Sequence, residues 1–162
     1  MRIAIIADTH LPKGARRLPD SCLTRLKRAD VTVHAGDFVR LSVLEELRAY
    51  SEVIAVHGNV DEHELRMALP AATQLEADGA TIAITHDAGA ASGRLDRLRR
   101  RFPSADAVIF GHSHIPLHEI DKDGFQIFNP GSPTERRRSQ RHTMGLAHAN
   151  DGRLSFELIE LD

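Results

Sequence analysis

The chain is poor in the residues that mark several common protein classes. Of its 162 residues only Cys22 is a cysteine. One thiol can build neither a disulfide framework nor a thiolate metal site, and Cys22 reads as a small buried side chain on a helix. Tryptophan is absent and aromatic residues make up 4% of the chain. Beside the arginine cluster Arg94, Arg97, Arg99, Arg100 and Arg101 stands the single aromatic Phe102, which is too little for a base-stacking platform. Those arginines read as the wet face of one helix. Neither sign of charge dominates: 21 Lys and Arg against 23 Asp and Glu leave a formal charge of −2. No global field therefore draws in nucleic acid or acidic membranes. No apolar run approaches the roughly 18 residues of a membrane span. The first strand begins at Arg2, which leaves no room for a signal peptide, so a cytoplasmic location is expected.

What the chain has in excess is histidine, ten in all, more than a pH switch or a single catalytic base requires. It also has short apolar runs that alternate with helical stripes. RIAIIA, VTVHA and VIAVH read as strands buried on both faces. Helices are expected between and after them. One is capped by Asp20-Ser21, a second by Ser42 with Glu45 in the capping-box position, and a third runs from Asp61 to Met67. Asp78-Gly79, Asp123-Gly124 and Asp151-Gly152 each separate two strand-like runs and predict hairpins. A helix over residues 92–102 and the strand ADAVIF lie between the first two turns. The order β-α-β-α-β predicts a parallel sheet with right-handed crossovers, and the second half reads as mostly antiparallel. The expected fold is α/β, with two sheets flanked by helices in one domain over residues 1–162.

Five of these strands end in polar clusters: Asp8-Thr9-His10, Gly36-Asp37, Gly58-Asn59, His86, and Gly111-His112-Ser113-His114. Ligands of open α/β sheets bind beyond the carboxyl ends of strands. Oxygen and imidazole donors without sulfur suit Mn, Fe, Co, Ni or Zn. Seven donors are too many for one tetrahedral zinc, and suit two metals sharing a carboxylate. Taken singly, each residue has an ordinary reading as a turn cap or a satisfied polar group. Taken together, in order and each after a strand, they point to a metal centre.

The series DxH, GD, GN, H and GHxH resembles that of the calcineurin-like metallophosphoesterases. Gly58-Asn59-Val60-Asp61 and Asn129-Pro130-Gly131-Ser132-Pro133 are most similar to the small bacterial and archaeal phosphodiesterase branch. The resemblance runs from Asp8 to about Arg137. It implies a four-layer α/β/β/α sandwich of two mixed sheets flanked by helices. It implies two divalent metals, with manganese expected. Asp8, His10 and His114 would hold the first, Asn59, His86 and His112 the second, and Asp37 would bridge them. The implied reaction is hydrolysis of a small phosphate ester, a diester above all, by in-line attack of a metal-bridging hydroxide. His112 and His114, two apart in an extended segment, would point the same way. A dimer or tetramer is expected by analogy.

The chain departs from the family at two places. Val60 stands where many members carry the histidine thought to protonate the leaving group, so the general acid is open, with His63 as a candidate substitute. Asp87 follows His86 where glycine is common, and would either reshape the cleft or orient His86. Arg136 and Arg137 are candidate phosphate contacts, against the reading of a solvated loop. Asn129 to Ser132 either ends a strand or meets substrate. His34 and His57 are expected to pack internally, and His118, His142 and His148 to face solvent. A non-catalytic interaction scaffold and a nuclease are the competing functions. The complete histidine set argues against the first; the lack of insertions and of basic charge argues against the second.

Overall fold

The computed structural model describes residues 1–161. Its first half is the expected β-α-β-α-β series: β1 (Arg2–Ile6), α1 (Asp20–Leu26), β2 (Val31–His34), α2 (Leu41–Arg48) and β3 (Glu52–Ala55), followed by α3 (His63–Ala68). β1 pairs in parallel with β2, and β2 with β3. The hairpin β4 (Ala72–Ala77) and β5 (Ala80–Thr85), the helix α4 (Arg94–Arg101) and β6 (Ala107–Ile109) come next. Then follow β7 (Leu117–Ile120), β8 (Gln126–Asn129), β9 (Thr143–Asn150) and β10 (Arg153–Glu160).

The two sheets have five strands each, in the orders β10-β9-β1-β2-β3 and β4-β5-β6-β8-β7. The second half is less antiparallel than its hairpins suggest. β5, β6 and β8 pair in parallel and form the middle of the second sheet, with β4 and β7 antiparallel at its edges. The last hairpin does not join them. β9 returns to pair antiparallel with β1, so both sheets are mixed.

Strand alternation makes the four layers. Ile3 and Ile5 of β1 point between the sheets, where they meet Val31, Val33, Ile82, Ile84, Ile109 and Phe128. Ala4 and Ile6 point the other way, into Leu26, Leu44, Leu47 and Leu65 of α1, α2 and α3. The outer face of the second sheet buries Val108 and Ile127 against Leu98 of α4. Each fully buried Ile or Leu contributes about 1.5–3 kcal/mol, and both faces of β1 are closed in this way. At Gly145 a Cβ would lie 2.4 Å from the Phe128 ring. Glycine there lets an aromatic of one sheet press onto the backbone of the other.

Several expected caps are built differently. Asp20 and Ser21 lie inside α1, and the Ser21 hydroxyl donates to the Leu161 carbonyl. Ser42 lies inside α2, whose first residue Leu41 gives its N–H to the Glu62 carboxylate at 2.7 Å. A side chain from the loop before α3 thus does the work expected of a local cap. Asp78-Gly79 and Asp151-Gly152 have positive φ at both residues, as a two-residue type I′ hairpin requires. Around Asp123-Gly124 the loop is longer, and the Asp121 carboxylate accepts the Asp123 and Phe125 N–H groups. No helix among the described residues is long and apolar enough to cross a membrane.

Candidate metal centre

The carboxyl ends of β1, β2, β3, β5 and β6 meet at one rim of the sandwich and bring the seven predicted residues together. Asp8, His10 and His114 form one group, and Asp37, His86 and His112 a second, each with ligand atoms within 4.8 Å of one another. In the first, His10 Nε2 lies 3.1 Å from His114 Nε2, and His114 Nε2 lies 3.5 Å from Asp8 Oδ1. In the second, Asn59 Oδ1 is 3.0 Å from both His86 Nε2 and His112 Nδ1. Asp37 Oδ2 stands between the groups, 3.7 Å from His10 Nε2 and 3.4 Å from His86 Nε2. His114 Nδ1 donates to the Glu135 carbonyl at 3.0 Å, and His86 Nδ1 to the Ala35 carbonyl at 2.7 Å. Each hydrogen bond fixes the tautomer that turns an Nε2 lone pair into the site.

The backbone here is unusual. Asp8, His10, Asp37, His112 and His114 all have φ between +46° and +68°. Side chains other than glycine enter this region at a cost of about 1–2 kcal/mol each. The segment carrying His112 and His114 is therefore not extended; its left-handed residues send the two imidazoles to different groups. Buried hydrogen bonds hold the loops in place. Asp61, which is buried, accepts the N–H groups of Asp37, Val39 and Gly58 at 3.2, 2.7 and 2.7 Å. A Cβ on Gly58 would lie 2.0 Å from Asp37 Oδ1, so only glycine admits the Asp37 carboxylate. A carboxylate with three backbone donors is not replaceable by its amide. Asp61→Asn should lower stability by about 3 kcal/mol, read as a fall in the urea midpoint at unchanged slope.

A sixth strand end also contributes, after β8. Asn129 Nδ2 donates to the Gly111 carbonyl, Ser132 Oγ to the Asp8 carbonyl and Thr134 Oγ1 to the Thr9 carbonyl. The Asn129–Ser132 stretch is thus a buried brace for the first and last motifs. His34 works similarly. It is fully buried, stacks on Phe38, accepts the Gly36 N–H and bonds Thr9 Oγ1 at 3.1 Å.

The electrostatics show what the site demands. Burial pushes the Asp8 carboxyl up to about 8, against the attraction of His86 and with the repulsion of Asp37 adding to it. Its Oδ2 is buried and meets no hydrogen-bond donor among the described residues. Burial also acts on Asp37, but the hydrogen bond and charge of His86, the Val60 N–H and His10 hold it at about 2. His86 is raised despite its burial, by Asp37 and then Asp8. Burial lowers His114 to about 4 and lowers His10 as well. The 3.5 Å approach of His114 to Asp8 is therefore no ion pair, since burial favours the neutral form of both. Converging histidine and carboxylate donors, with His10 and His114 held neutral by burial and an unsatisfied buried carboxylate oxygen on Asp8, fit divalent metal ions at the two donor groups.

The remaining candidates fall differently. Arg137 lies close enough for its charge to lower Asp8, His10 and His114. Arg136 turns to the Gln140 carbonyl at 3.4 Å. His63 is exposed at the start of α3. Asp87 does not orient His86; its carboxylate accepts the Gly89 N–H at 2.7 Å. His57 is half-buried and lines a cleft with Asn59 and His86. His148 is exposed, but His118 is half-buried, bonded to Gln126 and packed on Phe128 and Phe156. The arginine-rich helix is more than a wet face: Arg97 binds the carbonyls of Ala88, Ala90 and Ser92 and holds the loop after His86. Glu135 is a group that sequence reasoning missed. Its carboxylate lies 3.6 Å from His10 Nε2 and pairs with Lys13 and Arg16. Its position directly after the Asn129–Thr134 stretch was the available signal.

Comparison with known proteins gives the family and the fold. A probable metallophosphoesterase of Methanocaldococcus jannaschii is 31% identical over 166 residues, covering 100% of this chain and 82% of the relative. A phosphodiesterase of the same organism is 27% identical over 145 residues, covering 81% and 83%. The zinc complex of Vps29 from Entamoeba histolytica superposes with a TM-score of 0.78 over the whole of both chains, at 20% identity, which shows a shared fold. Residues 1–152 match the calcineurin-like phosphoesterase superfamily domain. From that match and the curated relatives, the chain belongs to the calcineurin-like phosphoesterase superfamily.

Proposed function

We propose that this protein is a binuclear, metal-dependent phosphodiesterase acting on small phosphate esters. The observation that carries the reading is the placement of Asp37 Oδ2 between two complete donor groups. Asp8, His10 and His114 would hold one cation, Asn59, His86 and His112 the other, and Asp37 both. Manganese is the metal expected, ahead of Ni, Fe, Co or Zn. Such a pair, when bound, lowers the pKa of water and stabilises charge growing on phosphoryl oxygens. Two carboxylates among seven donors leave excess positive charge to meet an anionic ester. Arg137 adds to it, whereas the Glu135 carboxylate is answered by Lys13 and Arg16.

Val60 gives its N–H to Asp37 Oδ1 and presents an apolar side chain that is 42% exposed. No imidazole is offered to a leaving group at that position. This favours esters whose leaving group needs little help from an acid, and with the phosphodiesterase relative it supports diesters over monoesters. The test is protein stripped with EDTA, reloaded with Mn²⁺ or Ni²⁺, and assayed on bis-p-nitrophenyl and p-nitrophenyl phosphate. Turnover of the diester above the monoester is expected. Hydrolysis of neither, with almost no transition metal retained after reloading, would instead favour a protein-binding scaffold of this fold.

A further inference from the structure

The cleft beside the second donor group has a composition that phosphoester hydrolysis alone does not explain. It has a volume of about 510 Å³, and its walls include Asn59, His86, Arg66, Asp87 and Arg101. That is within the range of small-molecule sites. Two of these residues, Asn59 and His86, are candidate metal-site donors, and two, Arg66 of α3 and Arg101 of α4, carry guanidinium groups.

Among the described residues neither guanidinium pairs with a carboxylate. Arg66 Nε donates to the Asp61 carbonyl at 2.9 Å and Nη2 to the Asn59 carbonyl at 2.6 Å. Arg101 Nη1 reaches the Asp87 carbonyl at 3.4 Å and its guanidinium lies over the Phe102 ring. The other cleft charge, the Asp87 carboxylate, is turned to the Gly89 N–H. Two exposed guanidinium groups line one cleft, each hydrogen-bonded only to main-chain carbonyls among the described residues, and their forked donors match phosphoryl oxygens.

We infer that this cleft is a second anion subsite, and that the substrate carries a further phosphate group beyond the one cleaved. The inference rests on the phosphodiesterase reading for the position of the scissile phosphate at the metal pair. The remote phosphate would lie between Arg66 and Arg101. Arg66 also steadies the main chain of Asn59, a metal-site residue, so Arg101 is the cleaner position to change.

The Mn²⁺-loaded protein is titrated calorimetrically with propane-1,3-diol bisphosphate and with propyl phosphate. The bisphosphate is expected to bind at least about tenfold more tightly, and Arg101→Gln to abolish most of that advantage while Arg101→Lys keeps part of it. In parallel, kcat/KM is compared for a p-nitrophenyl propyl phosphate diester with and without a terminal phosphate. The ratio of the two should fall about tenfold in Arg101→Gln. Equal affinity for the two ligands in the unmodified protein would overturn the subsite, as would an advantage that survives Arg101→Gln. An Arg101-dependent preference in a protein that cleaves neither diester would uphold the subsite and sink the hydrolase reading, so the two failures are distinguishable. Circular dichroism of each variant guards against misfolding.

Discussion

Asp37→Ala should remove both metals at once and reduce phosphodiester hydrolysis by at least about 10³-fold. The carboxylate is nearly inaccessible, 2% exposed, and faces His10 on one side and His86 on the other. Loss of any one of the other ligands touches a single donor group. Loss of Asp37 takes an anion from both, and leaves the pair of cations with no shared charge between them. In stripped protein the same change should also destabilise the fold. Asp37 is held at about 2 by His86, Val60 and His10 even against its burial. A depressed carboxylate contributes stability that is present above its unfolded value and lost as pH falls through its folded value. The stripped wild-type protein should therefore lose that contribution between about pH 4 and pH 2, and Asp37→Ala should lack it at neutral pH. Plasma mass spectrometry of the reloaded variant is the deciding measurement. A variant that keeps one equivalent of metal with appreciable activity would show that Asp37 serves one cation only.

The candidate ligands were readable because the donor residues and the fold use the same punctuation. Five of the apolar runs that make strands stop at residues whose side chains belong to the rim, so Asp8, Asp37, Asn59, His86, His112 and His114 mark both the strand end and the candidate site. The turns were readable for a local reason as well. Asp-Gly at 78–79 and 151–152 supplies two left-handed residues without help from the rest of the chain. What stayed hidden depends on contacts between distant segments. Nothing in the order of residues says that Glu62 closes the start of α2, or that Asp61 collects N–H groups from two strand-end loops. The pairing of β9 with β1 was hidden too, because a hairpin motif fixes its own two strands and not the sheet it joins. Arg101 looked like one more solvated arginine of α4, and only the fold shows that it shares a cleft with Arg66, Asn59 and His86.

Asp8→Asn should have opposite effects with and without metal. In protein stripped with EDTA the variant should be more stable than wild type at pH 7 to 8, by a few kcal/mol at most, and the gain should vanish near pH 4. Asp8 is completely buried, its Oδ2 meets no donor among the described residues, and burial raises its carboxyl to about 8. Its folded value thus lies above its unfolded value of about 3.9. Such a group contributes stability that is fully present below the unfolded value and is lost as pH rises through the folded one. The stripped wild-type protein should weaken over roughly pH 4 to 8, by up to about 1.4 kcal/mol per pH unit from this group. Asparagine keeps the shape and an oxygen for the His112 N–H, which Asp8 Oδ1 accepts at 3.1 Å, but brings no charge to bury. Adding Mn²⁺ should reverse the order. Wild type gains about 2.7 kcal/mol at a hundred times its dissociation constant, and the variant, missing an anionic ligand of the first donor group, gains less. Melting temperatures of both proteins, across pH and with EDTA or Mn²⁺, separate the two effects. Equal stabilisation by Mn²⁺ would remove Asp8 from the ligand set. Lower stability of the stripped variant at neutral pH would show that the buried carboxylate is not a burden on the fold. The expected crossing of the two curves would mean that the fold tolerates an unfavourable buried anion which only a bound cation makes favourable.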